Sequence, residues 1–334
     1  MSVMERVLVY ECISGGGLAA SDAGRAAPPE ASLLAQGVAM RDALAADLQR
    51  LDHVAVSCAA TRHAPLPASL TGVRALHPAA HDGAAQFLAR QARRHDRVWV
   101  IAPESNGLLA TLAAAVGPAR WVGCAPAAIR LAASKAATRA RLAAGGIAVP
   151  ASWRPGEPAP AAGTSWIVKP DDGAGCVETR LHADFAPARE DLRARLASGM
   201  PSTLEAWVDG VPLSLSLLCT EGAAELLSIN RQRIIVGPGR LLAYLGVDIG
   251  AVALDSPVAR QLAGLARRIA AAVPGLAGYV GVDVVWRTGG EPVVIEINPR
   301  LTCAYAGLSA ALGRNLAGEI LLAHHTERAL DVVH

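Results

Sequence analysis

The chain has 334 residues, 52% hydrophobic and 18% charged, with 31 Lys and Arg against 29 Asp and Glu. That is about two domains' worth of polypeptide with ample apolar material for a core, and the composition excludes an intrinsically disordered chain. A net charge of +2 gives no reason to expect nucleic acid or an anionic membrane as partner. Residues 6–12 read as a short buried strand ending in a Ser-Gly-Gly-Gly turn, and residues 19–29, rich in Ala, Gly and Pro, as a mobile loop. An amphipathic helix over 31–51 follows, then a strand at 53–59, a helix over 82–94, a strand at 97–102, a helix over 106–116 and a last short strand at 121–124. Strands separated by helices predict a parallel, doubly wound sheet.

The pattern then changes. One helix is predicted over 126–144, stopped by Gly145-Gly146 and an extended Val149-Pro150, with a Pro-rich linker over 153–163. Beyond it the strands are closer together and read as antiparallel: 166–169, 177–181, 203–208, 213–218, 225–230, 278–286 and 292–297. Helices are expected only at 187–197 and 256–273, with two short ones after Tyr305. The fold class is therefore α/β followed by α+β, in three parts: residues 1–125, 126–208 and 209–334. No uncharged apolar run reaches 18 residues, and Glu5, Arg6 and Glu11 flank the first strand, so neither a membrane span nor a secretory signal is predicted and the protein reads as cytoplasmic. The six cysteines are scattered without a CxxC pair, which argues against a zinc site or a disulfide framework.

The segment Val293-Val294-Ile295-Glu296-Ile297-Asn298-Pro299-Arg300 carries the clearest chemistry. On a strand, Glu296 and Asn298 share one face, and Asp283 is a lone acid inside the apolar strand Gly281–Val285, costly to bury without a cation. Hard oxygen donors on strand faces suit Mg²⁺, with Mn²⁺ as an alternative, and Arg300 offers a rigid fork for phosphate oxygens. A second constellation runs from Trp166 to Cys176: a strand ending in Lys169, then a loop through Gly173, Ala174, Gly175 and Cys176 whose N–H groups could cradle phosphate. The other reading of each is plain: a solvated strand face, and a hairpin with a snorkelling lysine. Glu205, Trp207 and Val208 form an acidic strand with an aromatic that could line a purine pocket. Lys135 alone would be a solvated helix residue. Yet Lys135 and Lys169 are the only two lysines against 29 arginines, so they stand where a compact ammonium is expected to be required.

These pieces, in this order and over essentially the whole chain, resemble the ATP-grasp superfamily. The resemblance implies an N-terminal parallel-sheet domain and two α+β lobes enclosing ATP. It implies phosphate contacts from Lys135 and Lys169, a flexible lid over Gly173–Cys176, and an adenine and ribose hinge at Glu205, Trp207 and Val208. Mg²⁺ would be held by Asp283, Glu296 and Asn298, and Arg300 would stabilise the transferred phosphoryl group, so Arg300 and Lys169 are the expected catalytic pair. After the hinge the sequence runs Gly210-Val211-Pro212-Leu213-Ser214, without the acid that many relatives have there for ribose. The family's reaction converts a carboxylate to an acylphosphate, which an amine attacks, and this requires charge neutralisation more than a protein nucleophile.

Substrate residues are expected from the N-terminal domain. Glu11, Ser14, Gly15 and Gly16 follow the first strand, where ligands of parallel sheets bind: the turn could present N–H groups to a carboxylate and Glu11 could meet an amino group, or the segment is an ordinary strand-to-helix turn. Glu104 lies at a second strand end. The wording YECISGGG, APESNGLL, SKAATR, SINRQ and EINPRLTCAYAGL is similar to the tyramine–glutamate ligase group of that superfamily, which acts in methanofuran-type cofactor biosynthesis. It implies glutamate as the carboxylate, tyrosine or tyramine as the amine, and Arg233 with Arg300 as holders of substrate carboxylates. Other amino-acid or pterin-linked glutamate substrates, and a non-catalytic nucleotide-binding protein, are the alternatives. A homo-oligomer is compatible with this reading.

Overall fold

The computed structural model describes residues 4–17, 31–79, 82–161, 163–173, 175–220 and 222–331, the last seven as backbone alone. The expected loop at 19–29 and Ala174 lie outside the described residues. The N-terminal unit runs β1 (Glu5–Glu11), α1 (Ala31–Gln49), β2 (Val54–Ala59), β3 (Arg74–Leu76), α2 (Ala84–Ala92), β4 (Arg97–Ile101), α3 (Leu108–Val116) and β5 (Trp121–Val122). Its five strands are parallel in the order β3-β2-β1-β4-β5. Their apolar runs require cover on both faces, and the helices provide it.

The predicted single helix over 126–144 is two: α4 (Pro126–Ala133) and α5 (Lys135–Ala144). Ser134 between them is extended, at φ −104° and ψ 116°, and its Oγ accepts the Ala137 N–H at 3.1 Å. A serine that can cap breaks the helix here. Lys135 thereby becomes the first residue of a new helix rather than one step along an old one.

The central unit holds β6 (Ser152–Trp153), β7 (Trp166–Pro170), β8 (Arg180–His182), α6 (Phe185–Ala197) and β9 (Ser202–Ala206), with sheet order β6-β9-β7-β8. It has its own small core of Trp153, Trp166, Val168, Ala188, Leu192 and Leu204, with Phe185 edge-on to both tryptophans. The strand expected at 177–181 forms only from Arg180, because Cys176 (φ 64°) and Glu178 (φ 52°) adopt left-handed backbone that ends an extended run.

The last unit is β10 (Val211–Thr220), β11 (Ala223–Val236), β12 (Leu242–Val252), α7 (Pro257–Ala272), β13 (Gly278–Trp286), β14 (Pro292–Asn298), α8 (Leu308–Leu312) and α9 (Leu316–Asp331). Its strands are antiparallel in the order β12-β11-β10-β13-β14. The edge strand β12 has no strand pattern in sequence, because Gly246, Asp248 and Gly250 interrupt its alternation, and its pairing with β11 shifts register twice. The final helix, at 16 residues, is not short.

One apolar cluster joins the N-terminal sheet to the last sheet, from Leu8 and Val100 through Ala128 to Leu215, Val282 and Ile297. A second packs α1 against Tyr305, Leu308, Leu316 and Ile320. Within it the buried Asp47 accepts hydrogen bonds from Tyr305 Oη at 2.7 Å and Ser309 Oγ at 2.5 Å, and its carbonyl accepts from Asn315 Nδ2 at 2.8 Å. The first and last units are thus one packed body, and the central unit, with a core of its own, stands over it. Among the described residues no helix is long and apolar enough to cross a membrane.

Candidate active site

A cleft of about 580 Å³ opens between the central unit and the other two. That volume is in the range of small-molecule sites. Both lysines line it, and both are buried against carboxylates. Lys169, at the end of β7, has Nζ 2.8 Å from Glu205 Oε2 on the neighbouring β9, with Ile167 directly opposite Glu205 in the register. Lys135 has Nζ 3.2 Å from Glu296 Oε1 and donates to the Gly173 carbonyl of the glycine loop. Each ammonium is held in place by acids and dipoles rather than by solvent, which is why a compact, rotatable donor suits both positions.

Asp171 is the piece that registers the two lysines, and sequence reasoning had assigned it no role. Its carboxylate accepts from Ala136 N at 2.8 Å and from Ser134 Oγ at 2.7 Å, and its carbonyl accepts from Lys135 N at 3.0 Å. The loop after β7 therefore caps α5, so the helix that carries Lys135 is fastened to the strand that carries Lys169. The neighbouring Asp172 accepts from the Asn106 N–H at 2.8 Å, tying the same loop to the N-terminal unit. Asp-Asp after Lys-Pro is a common turn sequence, and nothing local distinguishes a cap reaching 35 residues back.

On the floor, Asp283 of β13 stands opposite Glu296 of β14, and Gly281 opposite Asn298. The register slips after Asp283, leaving Ile295 as an extra residue that turns towards the cleft. Asp283 accepts from Gln232 Nε2 at 3.1 Å and Asn298 Nδ2 at 3.4 Å. Burial, followed by the nearby Glu296 charge, pushes the Asp283 carboxyl up from 3.8 to about 7, with Gln232, Asn298 and Arg300 acting the other way. Two carboxylates and an amide, all hard donors, on one floor fit a divalent cation, and the raised Asp283 value is what a carboxylate pair shows without one. Asp283 and Glu296 are the only acids in this set, and among the described residues no group of three or more His, Cys, Asp or Glu is placed to hold a metal, so Asn298 and ligand oxygens would have to complete the shell. Gln232 reaches Asp283 across β10 from β11, the strand that also carries Arg233.

Arg300 meets Glu104 of the N-terminal unit: Nη2 donates to Oε2 at 3.1 Å, and Nε lies 3.0 Å from Oε1 without the angle of a hydrogen bond. Glu11, 2% exposed, also faces the cleft, and Gly37 of α1 passes directly over it. A Cβ at Gly37 would lie 2.5 Å from Glu11 Oε2, so a side chain there would push the carboxylate off the Ile13 and Ser14 N–H groups. Trp207 and Val208 line the mouth beside β9, and Trp207 Nε1 donates to Asp209 at 2.7 Å. Gly210 follows because a Cβ there would lie 2.3 Å from the Trp286 carbonyl.

Gly173, Gly175 and Cys176 line the cleft as well. Burial, and after it the charges of Asp283 and Glu296, push the Cys176 thiol up to about 11, which leaves it neutral. Four expected substrate residues are not brought to the site. Ser14, Gly15 and Gly16 do not line it, and the turn's N–H groups are spent internally: Ile13 and Ser14 on the Glu11 carboxylate at 3.1 and 2.7 Å, Gly15 on the Glu11 carbonyl, and Gly16 on the Ile13 carbonyl. The turn holds Glu11 rather than a ligand. Arg233 points away from the cleft and pairs with Asp248, since on β11 Gln232 and Ile234 take the inward positions.

Comparison with known proteins agrees with this architecture. A family model described as an ATP-grasp domain matches residues 132–304, and one described as a pre ATP-grasp 3 domain matches residues 54–129. A tyramine–L-glutamate ligase of Methanocaldococcus jannaschii is 26% identical over 215 residues, 64% of this chain and 58% of that protein, so the match spans less than two thirds of the relative. Among solved structures, an ATP-grasp superfamily protein from Archaeoglobus fulgidus superposes with a TM-score of 0.68 at 22% identity, covering 95% of this chain and 88% of that one. D-alanine–D-alanine ligase from Bacillus anthracis, crystallised with ATP, gives 0.63 at 14% identity, with 98% and 100% covered. The chain belongs to the ATP-grasp family.

Proposed function

We propose that this chain is an ATP-dependent carboxylate–amine ligase that joins the γ-carboxyl of glutamate to an aromatic amine, tyramine or tyrosine. The observation that carries the reading is the convergence on one cleft of Lys135, Lys169, Asp283, Glu296, Asn298, Arg300 and Glu11, with Glu104 reaching it through its ion pair to Arg300. The likeness to tyramine–L-glutamate ligase supports the choice of substrates.

In this reading the adenine lies against Ile167, Trp207 and Val208, and its phosphates meet Lys135, Lys169 and the Gly173–Cys176 loop. Asp283, Glu296 and Asn298 hold Mg²⁺, which neutralises phosphate charge when bound. Nucleotide binding recruits each ammonium from its carboxylate partner, so the carboxylates that anchor the lysines also keep them desolvated and ready. The substrate carboxylate oxygen attacks the γ-phosphorus and ADP leaves. Arg300, already aimed between the two units, offers its fork to the acylphosphate. The amine nitrogen then attacks the acyl carbon, phosphate departs with the C–O bond, and the ammonium proton is lost to solvent or a carboxylate. Glu11, which lines the cleft, is the acid placed to hold a cationic amino group of a substrate, and Glu104 orients Arg300.

The test is ADP release measured with glutamate and a panel of amines, followed by product mass. Release that requires both glutamate and an aromatic amine, with a γ-glutamyl amide as product, is the expected result. ADP release independent of the amine, or absent with every pair, overturns the reading.

A further inference from the structure

The cleft has two halves of different chemistry, and the ligase reading uses only one. The nucleotide half carries all the lysines, the paired acids and the hinge. The other is walled by the hairpin β11–β12, whose inward residues Ile234, Tyr244 and Val247 follow directly on from Gln232. In the register Gln232 faces Val247 and Ile234 faces Tyr244, so the wall passes from polar to apolar within one residue pair.

Two other elements contribute apolar side chains to the same cleft, Leu33 from α1 and Val177 beside the glycine loop, and Val236 adds a third near the hairpin tip. All three are substantially exposed, at 42%, 61% and 46%. Apolar side chains exposed on three separate elements yet facing one cavity mark a place for an apolar ligand group.

The hairpin is also held over the cleft rather than projecting freely. Its tip bonds to the central unit, where Leu242 N donates to the Thr179 carbonyl at 2.8 Å and Arg240 Nε to the Leu181 carbonyl at 3.0 Å. Its far side, β12, packs against the turn Cys303–Tyr305, where Cys303 Sγ donates to Gln36 Oε1 of α1 at 3.2 Å. Two fixed contacts make it a rigid wall, which is what discrimination by shape requires.

We infer that the paired strands β11–β12 form the subsite for the apolar, ring-bearing group of the amine, with Ile234, Tyr244 and Val247 as its specificity-determining residues. This rests on the ligase reading and adds to it which element selects the amine. The glutamate remains with the polar residues at the Arg300 end.

The experiment uses the full chain with ATP, Mg²⁺ and glutamate, and reads amine-dependent ADP release for tyramine, phenethylamine and ethylamine. The wild type is expected to favour the two ring-bearing amines over ethylamine by about tenfold or more in kcat/KM. Val247→Asp is expected to raise KM for the ring-bearing amines by about tenfold or more, while half-saturation by ATP and by glutamate shifts less than about threefold. Val247→Ala, which adds no charge and secures the result against misfolding, is expected to raise the same KM severalfold and to retain the wild-type melting temperature within a few degrees. Unchanged amine KM in both variants, or a wild type indifferent to the ring, overturns the inference. A wild type without any amine-dependent release overturns the ligase reading itself, which separates the two failures.

Discussion

Asp283 offers a sharp test, because burial and Glu296 hold its proton to about pH 7 in the cation-free protein. A divalent cation must displace that proton to bind. At pH 6 about one carboxylate in eleven is ionised and at pH 8 about ten in eleven, so apparent Mg²⁺ affinity should weaken about tenfold from pH 8 to pH 6. Below pH 7 the logarithm of affinity should rise by about one per pH unit, and above it should flatten. Titration calorimetry in two buffers of different ionisation heat counts the protons released, with close to one expected at pH 6 and nearly none at pH 8. The same shift sets the sign of a stability effect. The native chain keeps this proton to higher pH than the unfolded chain does, so the Asp283 contribution to stability falls as pH rises from about 4 to about 7. This is opposite to ordinary acid denaturation. With EDTA present, the melting temperature of Asp283→Asn should lack that decline. Equal Mg²⁺ affinity at pH 6 and pH 8, or unchanged proton release in Asp283→Asn, would refute the cation assignment.

Three further outcomes are expected. Glu104→Gln leaves Arg300 buried without its counter-charge and should cost about 3 kcal/mol in urea denaturation, whereas Glu104→Gln with Arg300→Met should recover most of the loss; strict additivity of the two changes would mean the pair is not coupled. Tyr305→Phe removes a hydrogen bond to the buried Asp47 carboxylate and should lower stability by about 2 kcal/mol, read as a fall in melting temperature, with nucleotide affinity unchanged. Lys135→Arg forces a planar fork into the space between Glu296 and the Gly173 carbonyl, and nucleotide affinity measured by titration should fall about tenfold; wild-type affinity would show that any cation serves there.

The hairpin β11–β12 shows why part of the site could not be read in advance. Its first half carries the polar run Asn230-Arg231-Gln232-Arg233, and which of these faces the cleft depends on strand parity. Parity is set by pairing with β10 on one side and with β12 on the other, and β12 carries glycines and an exposed aspartate that hide its alternation. Gln232 therefore meets Asp283 while Arg233 meets Asp248. The Ser14–Gly16 turn failed for a related reason. A glycine-rich turn has N–H groups to offer, but the sequence does not say whether the nearest carboxylate, here Glu11, takes them first.

What the amino-acid sequence determined by itself was the family, most of the elements in their order, and the residues proposed to face a phosphate and a cation. Two lysines surviving in an arginine-rich chain, a lone acid in an apolar strand, and Glu-x-Asn before Pro-Arg are local patterns, and local patterns are written in periodicity and desolvation cost. Only the tertiary structure decided the partners: Lys169 with Glu205, Lys135 with Glu296, Arg300 with Glu104, and Asp171 as the cap that joins two units. Each of those pairs spans 35 to 196 residues of chain. Such pairings arise from the way three sheets close around one cleft, and no local propensity encodes that closure.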